Sequence, residues 1–431
     1  MIGLIKKIAI CIPTYNRPEV ILDTCLEIIK TLDDDLYDLY IYDSSTDNET
    51  EITLRGIEKN NFFYFRIDSS IHSSKKVYNI YQDNKIQNNY KYLWVLADYL
   101  FFSSNVIESL NKKINEDWDM IMLDFYDPEE RGNKQYKDPN EIFFEYAWSI
   151  TQYGILIINC NTVLKKADWN YLEEKYLNEE CRNFSHIAMY FELMYQITDL
   201  KFYHFSVLKR DKYISKYRSL SSDYLVDYLH IWGFCWYRSI QKLPNYYKDK
   251  EMVIKKACIY GKQLGKQNLA QLKLKGVLTP KQFLQYSSIW KYVSTVHPLL
   301  VWGIIAMPKS ITRYIAEYGG IKQWILAVIT KRRLKKFCGM YRHIYLYGAG
   351  INAERLARFM DENSMIFDGF VVSRLENNKR YLKGYEVKEI SQIGMPKSIG
   401  IILALSKTNK REVIPLLDKL GYKNIFQDDI I

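Results

Sequence analysis

The sequence lacks a hydrophobic run that could cross a membrane. The longest run, Leu299–Met307, has nine residues between two prolines, whereas a membrane-spanning helix needs about 20. Near the start, only Ile8–Pro13 follows Lys6 and Lys7 before polar residues appear, which is too short for the core of a signal peptide. We therefore expect a cytoplasmic protein.

The sequence also lacks any pair of cysteines with CxxC spacing and any repeat of fixed period. Its seven cysteines are scattered and odd in number, which is typical of buried free thiols in a reducing compartment. Hydrophobic residues make up 48% and charged residues 26% of the 431 residues, so disordered, collagenous and integral-membrane classes are excluded. At about 150 residues per domain, this length predicts roughly two to four domains.

Negative charge is scarce in the middle of the chain. Between Lys201 and Cys338 there are 26 Lys and Arg but 6 Asp and Glu, a balance of +20, while the remainder has 34 against 44, or −10. Such a basic segment indicates an anionic partner, either phospholipid or nucleic acid. Nucleic acid is disfavoured because no helix-turn-helix, zinc-finger or RNA-recognition signature is present.

One part of this basic segment suggests a membrane-surface helix. Ile321, Trp324, Ile325 and Val328 recur at helical spacing and precede the basic cluster Lys331–Lys336. A tryptophan-bearing apolar face beside basic residues suits a helix lying on an anionic membrane. The alternative is a helix packed on its neighbours, with basic residues at its C-terminal dipole. We therefore expect a cytoplasmic protein, with peripheral association with the inner face of the membrane as a further expectation.

Alternating apolar runs and helical patterns predict an α/β protein. Continuous apolar runs indicate buried strands, and strands alternating with helices indicate a mostly parallel sheet. The expected strands of the first part are Lys7–Pro13, Tyr37–Tyr42, Asn61–Asp68, Tyr92–Ala97, Met120–Phe125 and Gly154–Asn159, with helices over Glu19–Leu32 and Lys75–Asn88. We expect one domain over 1–215, a mainly helical basic region over 216–338 and a small Rossmann-like α/β domain over 339–431.

Polar and acidic residues stand where the predicted strands end, which is where ligands bind in open α/β sheets. The segment Pro13–Arg17 follows the first strand, Asp43 ends the second and Asp98 ends the fourth. The acidic pair Glu179 and Glu180 comes 81 and 82 residues after Asp98. Taken singly, Asp43 and Asp98 are equally well explained as turn or helix-cap residues.

The ordered set IPTYNRP, YDSSTDN and YLWVLAD resembles the family 2 glycosyltransferases of the GT-A fold, over about residues 7–210. The resemblance implies a nucleotide-sugar site in which Pro13, Thr14, Tyr15 and Arg17 line the nucleotide pocket. It implies that Asp43 accepts a hydrogen bond from the uracil or the ribose. It also implies that Asp98 binds the ribose and a divalent metal that bridges the phosphates.

The chain departs from the family at the metal motif, which is usually Asp-any-Asp. Here the second position is Leu100, whose side chain cannot coordinate a metal. Asp98 is the one residue of this motif that could coordinate a metal, so the motif does not establish binding of Mg²⁺ or Mn²⁺. Lys75, Lys76 or Arg17 would then supply the positive charge, as a metal-free site requires.

An inverting transfer needs a general base for the acceptor hydroxyl. In the family a carboxylate about 80–90 residues past the metal motif does this, which implies Glu180, with Glu179 as its alternative. Both are also explained as the solvated start of a helix. His186 is a second candidate base, or a satisfied core histidine. Tyr153 and Gly154 correspond to the place where small residues admit the acceptor, although a tight turn explains the glycine equally well.

A second motif lies near the C-terminus. Gly348, Gly350 and Ala353 form a shortened dinucleotide-binding fingerprint between a strand and a helix. The next strand ends in Ser373 and Arg374, without the acidic residue that would bind a ribose. The unit resembles the small Rossmann-like domains appended to sugar-modifying enzymes. Its glycines serve either a nucleotide or, as we favour, tight packing in a domain used for docking or assembly.

These features predict an inverting glycosyltransferase that moves a sugar from a nucleoside-diphosphate donor, with UDP expected, to a lipid-linked or polymeric acceptor. The resemblance and the basic segment imply a role in bacterial surface-glycan assembly, such as capsule or cell wall. One alternative is a non-catalytic scaffold with a degenerate transferase fold. Another is a transferase acting on a protein adhesin. Self-association is left open.

Overall fold

The computed structural model describes residues 6–125, 132–151, 153–208, 211–217, 227–318, 321–376, 380–394, 396–405 and 407–427. The chain forms two compact units, 1–312 and 313–431. The boundary between them falls within the predicted helical region 216–338. The predicted division at 215 and 338 stays a prediction.

The elements are numbered here in chain order. The strands are β1 (Lys6–Thr14), β2 (Tyr37–Asp43), β3 (Phe62–Arg66), β4 (Tyr90–Val95), β5 (Leu100–Phe102), β6 (Met120–Asp124), β7 (Lys134–Tyr136), β8 (Leu156–Asn159), β9 (Phe202–Ser206), β10 (Lys212–Ile214), β11 (His343–Tyr347), β12 (Gly369–Val372), β13 (Tyr381–Leu382), β14 (Tyr385–Glu389), β15 (Ile399–Leu403) and β16 (Ile425–Phe426). The helices of the first 200 residues are α1 (Pro18–Thr31), α2 (Glu49–Leu54), α3 (Ser73–Tyr81), α4 (Asn84–Asn89), α5 (Ser104–Lys113), α6 (Pro139–Tyr146), α7 (Trp169–Tyr176) and α8 (Ser185–Gln196). The later helices are α9 (Trp236–Gln241), α10 (Lys250–Ile259), α11 (Lys266–Leu274), α12 (Pro280–Gln285), α13 (Trp290–Val293), α14 (Pro298–Ala306), α15 (Lys309–Tyr318), α16 (Ile321–Met340), α17 (Ile351–Glu362) and α18 (Lys407–Lys419).

The first unit is built on an eight-stranded sheet in the order β3-β2-β1-β4-β8-β6-β9-β7. Strands β3, β2, β1 and β4 run parallel, β8 runs antiparallel to β4 and β6, and β6 pairs with β9 in parallel. In β1, residues Ile8–Ile12 are all buried, as expected for a strand covered on both faces. The predicted α/β fold class with a parallel-dominated sheet is confirmed.

One predicted helix is divided in two. The sequence predicted a single helix over Lys75–Asn88, whereas α3 ends at Tyr81 and α4 begins at Asn84. The carboxylate of Asp83 accepts hydrogen bonds from the backbone nitrogens of Lys85 and Ile86. This N-cap satisfies otherwise unpaired amides and starts a new helix, so the polar residue interrupts the helical pattern.

Within the described residues, the segment from 227 to 340 is helical and contains no strand. The predicted mainly helical region is therefore confirmed. Immediately before α9, the stretch His230–Cys235 is a π-helix. Among the described residues, no helix combines the length and the hydropathy that crossing a bilayer requires.

The second unit has its own sheet in the order β13-β14-β12-β11-β15-β16, in which only β13 runs antiparallel to its neighbour. Its core includes Leu346, Ala353, Ala357, Phe370 and Ile402, all fully buried. The predicted separate small α/β domain is confirmed.

Candidate functional site

Three of the predicted site residues meet where β1, β2 and β4 end. Thr14 and Asp43 are paired in register at the ends of β1 and β2. Asp98 follows β4, and its Oδ2 accepts a hydrogen bond from Thr14 Oγ1 at 3.2 Å. Parallel strands deliver their carboxyl ends to one edge of the sheet, so residues up to 84 positions apart become neighbours.

Lys76 lies between these strand ends. Its side chain, projected from α3, donates to the carbonyl oxygen of Thr14 at 3.2 Å and to Ser44 Oγ. Lys76 is 5% exposed. Burial lowers its pKa to about 8, and the charges of Asp98 and Asp43 oppose that drop. Lys76 therefore keeps its positive charge at neutral pH and loses it in mildly alkaline solution.

Asp98 is also buried, which raises its pKa. Three neighbours oppose this rise: the Arg17 guanidinium, the Thr14 hydroxyl and the Lys76 ammonium. Arg17 Nη1 lies 3.3 Å from Asp98 Oδ1. The guanidinium is about one-third exposed, so it can contact the carboxylate and a ligand from solvent.

Asp43 is fully buried, and the chain itself occupies its hydrogen-bonding capacity. Its Oδ1 accepts from the backbone nitrogen of Ser45 at 2.8 Å and from the Ser45 hydroxyl. Its Oδ2 accepts from Tyr64 Oη at 2.6 Å and from Arg66 Nη1 at 3.0 Å. A carboxylate offers about four acceptor positions, so a nucleotide would have to displace one of these donors or meet Tyr64 and Arg66 instead.

The turn after β1 presents an aromatic ring beside this charge cluster. Tyr15 is 46% exposed, and Lys76 Nζ lies 5.7 Å from the centroid of its ring. Asn16 adopts a left-handed conformation with φ of 50°, and its backbone nitrogen donates to Ser45 Oγ at 2.8 Å. Pro13 pairs in register with Tyr42. The turn is thus tied to the end of β2, with the Tyr15 ring left accessible.

Leu100 begins β5 and is 1% exposed. Its hydrocarbon side chain cannot replace the second carboxylate of the family's metal motif. Among the described residues, no three His, Cys, Asp or Glu side chains are grouped so that they could hold a metal ion. The donor set around Asp98 therefore does not fit a divalent metal, and two cations, Lys76 and Arg17, adjoin it instead.

The two acidic residues proposed as base face different surroundings. They lie in a turn before α8, which begins at Ser185, so neither starts a helix as the sequence suggested. Glu180 binds Arg238 Nη2 at 2.9 Å and Lys242 Nζ at 2.7 Å. These contacts, led by Lys242, lower the pKa of Glu180.

Glu179 is the more exposed of the pair, with 85% of its side chain accessible, and its Oε2 lies 3.7 Å from Arg182 Nη1. Burial is the main cause of the lowered pKa of the His72 imidazole. The charge of Lys76 also lowers this pKa, and the charge of Glu179 raises it. Arg182 Nε lies 2.9 Å from His72 Nε2. Glu179 is therefore on the side of the turn that adjoins the start of α3, whereas Glu180 is bound by cations of the helical segment.

His186 and Tyr153 lie together in the interior. Their ring centroids are 4.4 Å apart, and His186 is 2% exposed. Neither imidazole nitrogen has a hydrogen-bond partner among the described residues. Burial lowers the pKa of His186 to about 3, opposed in part by the backbone of Thr151. The imidazole is therefore neutral at physiological pH.

Gly154 has a packing role. Its φ is 98°, and an added Cβ would lie 2.7 Å from Leu96 Cδ1 and 2.9 Å from Leu100 Cδ2. Its carbonyl accepts from Trp94 Nε1 at 3.0 Å. A left-handed turn against the β4–β5 connection accounts for the glycine, and the acceptor role of Tyr153 and Gly154 stays a prediction.

The C-terminal glycine turn contains two different glycines. Gly348 has φ of 124°, and an added Cβ would lie 3.2 Å from the Ala404 carbonyl oxygen. Gly350 precedes α17 in an extended conformation and has open space around it. Tyr347 Oη is 2.6 Å from Ser373 Oγ at the end of β12. Packing explains Gly348 but does not explain Gly350.

One predicted surface falls outside the described residues, and three residues near the strand ends were not predicted from the sequence. The structure does not describe the side chains of Ile321, Trp324 and Ile325, so the membrane-facing helix surface there stays a prediction. Sequence analysis missed Tyr64, Arg66 and Ser44. Arg66 ends β3 in register with Asp43 at the end of β2, and that position was the signal that could have identified it.

Among solved structures, the chain is similar to S. aureus TarS 1–349, with 12% identity and a TM-score of 0.38 over 78% of this chain and 93% of that chain. It is similar to the mannosyltransferase PcManGT from Pyrobaculum calidifontis, described in complex with GDP-Man and Mn²⁺, with 13% identity and a TM-score of 0.32 over 78% and 81%. It is also similar to glucosyl-3-phosphoglycerate synthase from Mycobacterium tuberculosis, with 10% identity and a TM-score of 0.36 over 56% and 80%. No family model and no curated protein matches the chain. Likenesses at these TM-scores carry no argument about the site.

Proposed function

We propose that the first unit is a glycosyltransferase of the GT-A type, related to family 2, that binds a nucleoside-diphosphate sugar where β1, β2 and β4 end. The observation that carries the proposal is the buried contact set of Thr14, Lys76 and Asp98, together with the half-exposed Tyr15 ring. The aromatic ring of Tyr15 can stack on the base of a nucleotide while the cations of the crevice bind its phosphates. UDP is the expected donor nucleotide.

The charge balance of the crevice supports a diphosphate ligand. Three cations, Arg17, Arg66 and Lys76, adjoin two carboxylates, Asp43 and Asp98. The surplus is one positive charge, and Lys76 is charged at neutral pH although it is buried. Fixed cations in a poorly solvated site stabilise a departing diphosphate, so this arrangement supplies charge where the family employs a metal.

An inverting transfer also requires a base near the acceptor hydroxyl. Glu179 is the better carboxylate candidate because it lies on the His72 side of its turn, is 85% exposed and has a longer contact, 3.7 Å, with its cation Arg182. Two cations hold Glu180 and lower its pKa, which weakens it as a proton acceptor. His186 is the second candidate, neutral but buried.

Nucleotide titration calorimetry tests the donor site with two adjacent lysines. Lys76→Ala removes the buried cation, and UDP affinity is expected to fall roughly 10–100-fold, the usual range for a lost hydrogen bond to a charged group. Lys75→Ala is the matched control because Lys75 pairs with Glu173 instead. Equal affinities for the two variants would contradict the donor-site assignment.

A non-catalytic scaffold is the alternative, and hydrolysis of the nucleotide sugar separates the two. A transferase slowly passes its sugar to water when the acceptor is omitted, and this release should be lost in Lys76→Ala. A scaffold would bind nucleotides without any release of sugar. Acceptor profiling with lipid-linked glycans, polymeric glycans and adhesin peptides separates the proposed surface-glycan acceptor from a protein acceptor.

We also propose peripheral contact with an anionic membrane, by a surface other than the predicted Trp324 helix. On α14, Leu299 and Leu300 are 72% and 61% exposed. Lys273 donates to the carbonyl oxygen of Met307. Burial and the nearby charge of Lys309 lower the pKa of Lys273. Flotation with anionic vesicles should lose binding in the double variant Leu299→Ser/Leu300→Ser and retain it in Leu284→Ser, another exposed leucine. Failure of the unmodified protein to float would contradict this proposal.

A further inference from the structure

A pocket of about 300 Å³ lies away from the strand ends that form the donor site. Trp148, Ser149 and Thr151 line one side, and residues of the helical segment line the other. The remaining lining residues are Trp232, Ala257, Tyr260, Gly261 and Gln263. A volume at this lower limit of small-molecule pockets suits one or two sugar rings.

Three aromatic side chains form the apolar part of this pocket. The rings of Trp148 and Tyr260 stack with centroids 5.4 Å apart, while Trp232 is 8% exposed and packs on Phe184 with centroids 5.0 Å apart. Tyr260 is 39% exposed. Trp148 and Tyr260 thus form a stacked pair whose Tyr260 ring reaches solvent, and Trp232 is more deeply buried.

The backbone that carries Trp232 is unusual. Residues His230–Cys235 form a π-helix immediately before α9. Such widened turns are rare and occur frequently at functional sites, because they change the direction in which side chains project. Gly261 is constrained as well, since an added Cβ would lie 2.7 Å from the carbonyl oxygen of Ala257.

Polar groups are interspersed with these rings. Tyr228 Oη donates to Gln263 Oε1. The Gln263 amide and the Thr151 hydroxyl add polar groups to the lining. An acyl chain would bury both groups unsatisfied, at a cost in free energy. A pyranose can form hydrogen bonds with both groups through its hydroxyls. It can also pack an apolar C–H face on the aromatic rings, whose faces carry partial negative charge.

The pocket is linked to the donor site through a short stretch of chain. Thr151 lies two residues before Tyr153, whose ring centroid is 4.4 Å from that of the buried His186. Gly154, the residue after Tyr153, accepts a hydrogen bond from Trp94 Nε1 in β4, the strand that Asp98 follows. We infer that this aromatic pocket binds a pyranose ring of a glycan acceptor, an inference that rests on the proposed transferase function.

Saturation-transfer NMR tests the pocket with methyl β-D-glucopyranoside and N-acetyl-D-glucosamine as pyranose probes and sodium decanoate as the acyl-chain probe. The unmodified protein should transfer saturation to the ring protons of at least one pyranose. Tyr260→Ala should weaken that affinity about tenfold, as loss of a good aromatic contact does. Tyr260→Phe, which keeps the ring, should restore it.

Ile259→Ala is the matched control because Ile259 is similarly exposed, at 38%, and does not line the pocket. No pyranose signal from the unmodified protein, or an undiminished signal from Tyr260→Ala, overturns the inference. Decanoate binding that is lost in Tyr260→Ala overturns it in favour of a lipid-tail pocket.

UDP calorimetry on the same proteins separates this inference from the proposed function. UDP binding that persists in Tyr260→Ala, without any pyranose binding, leaves the transferase proposal standing and overturns the pocket assignment. Pyranose binding that depends on Tyr260, in a protein that does not bind UDP, supports the pocket as a sugar site and contradicts the transferase proposal.

Discussion

The carboxyl ends of β1 and β11 occupy equivalent places in their two sheets, because each strand lies between two parallel neighbours. Beyond β1, a buried lysine and a buried aspartate meet at Thr14. Beyond β11 there is a glycine turn, where Gly348 packs against the Ala404 carbonyl. Topology provides a crevice in both units, but only side chains provide chemistry. The comparison therefore favours the first unit for the proposed donor binding.

The largest expected effect concerns the base beside the first crevice. Glu179→Gln keeps the size of the side chain but removes its basicity, so turnover should fall roughly 10²–10⁴-fold with UDP affinity unchanged. Glu180→Gln should have a mild effect on turnover, because its carboxylate is engaged by Arg238 and Lys242. Steady-state kinetics on both variants makes the comparison. Loss of activity only in His186→Ala would instead identify the histidine.

The next effect concerns the most fully bonded residue of the first crevice. Asp43→Ala leaves the donors of Ser45, Tyr64 and Arg66 without their carboxylate. Ser45 is 1% exposed, and leaving a buried donor unsatisfied costs about 1–3 kcal/mol, so the unfolding temperature should fall together with UDP affinity. Thermal unfolding and calorimetry measure the two losses. Weaker UDP binding at unchanged stability would show that Asp43 contacts the nucleotide directly.

The pH dependence of UDP binding tests the role of Lys76 in the first crevice. Its pKa is lowered to about 8, so the ammonium is present below pH 8 and is lost above it. UDP affinity should therefore be nearly constant around pH 7, be about halved near pH 8 and fall by up to about tenfold per pH unit at higher pH, until the pKa of the complex is reached. In Lys76→Ala the alkaline fall should disappear. A profile identical in both proteins would show that Lys76 does not contact the phosphates.

A glycine pair in the second unit gives a smaller effect. Gly348→Ala forces a side chain into φ of 124° beside the Ala404 carbonyl, and should cost roughly 1–2 kcal/mol of stability. Gly350→Ala should cost little, because its conformation is extended and its surroundings are open. Neither change should alter UDP affinity. Weaker UDP binding in Gly350→Ala would place a nucleotide in the second unit and break the comparison.

The smallest expected effect is that of a chelator. Because Leu100 stands in the hydrophobic interior and Lys76 adjoins Asp98, sugar transfer should retain a substantial part of its rate in EDTA. Rates measured with EDTA and after addition of Mn²⁺ make the test. Complete loss in EDTA, with recovery on Mn²⁺, would show that other groups complete a metal site.

Local pattern identified most elements because burial on both faces of a parallel strand leaves a continuous apolar run. Strand β2 (Tyr37–Asp43) is one residue longer than predicted, and β1 differs by one residue at each end. The break between α3 and α4 was missed, since an aspartate in a helical pattern is equally compatible with an exposed helix face. Capping by Asp83 is visible only once the helix ends are placed.

The sequence by itself determined the α/β class, the helical middle and the strand ends on which Thr14, Asp43 and Asp98 stand, because these follow from local periodicity. Only the tertiary structure decided which cations adjoin Asp98 and that Tyr64 and Arg66 saturate Asp43. It also decided that Glu180 is held by two close cations, whereas Glu179 has a longer contact with Arg182. It also brought Trp148 against Tyr260. These contacts join residues far apart in the chain, and their distances and burial depend on how the sheet and helices pack, which no local pattern encodes.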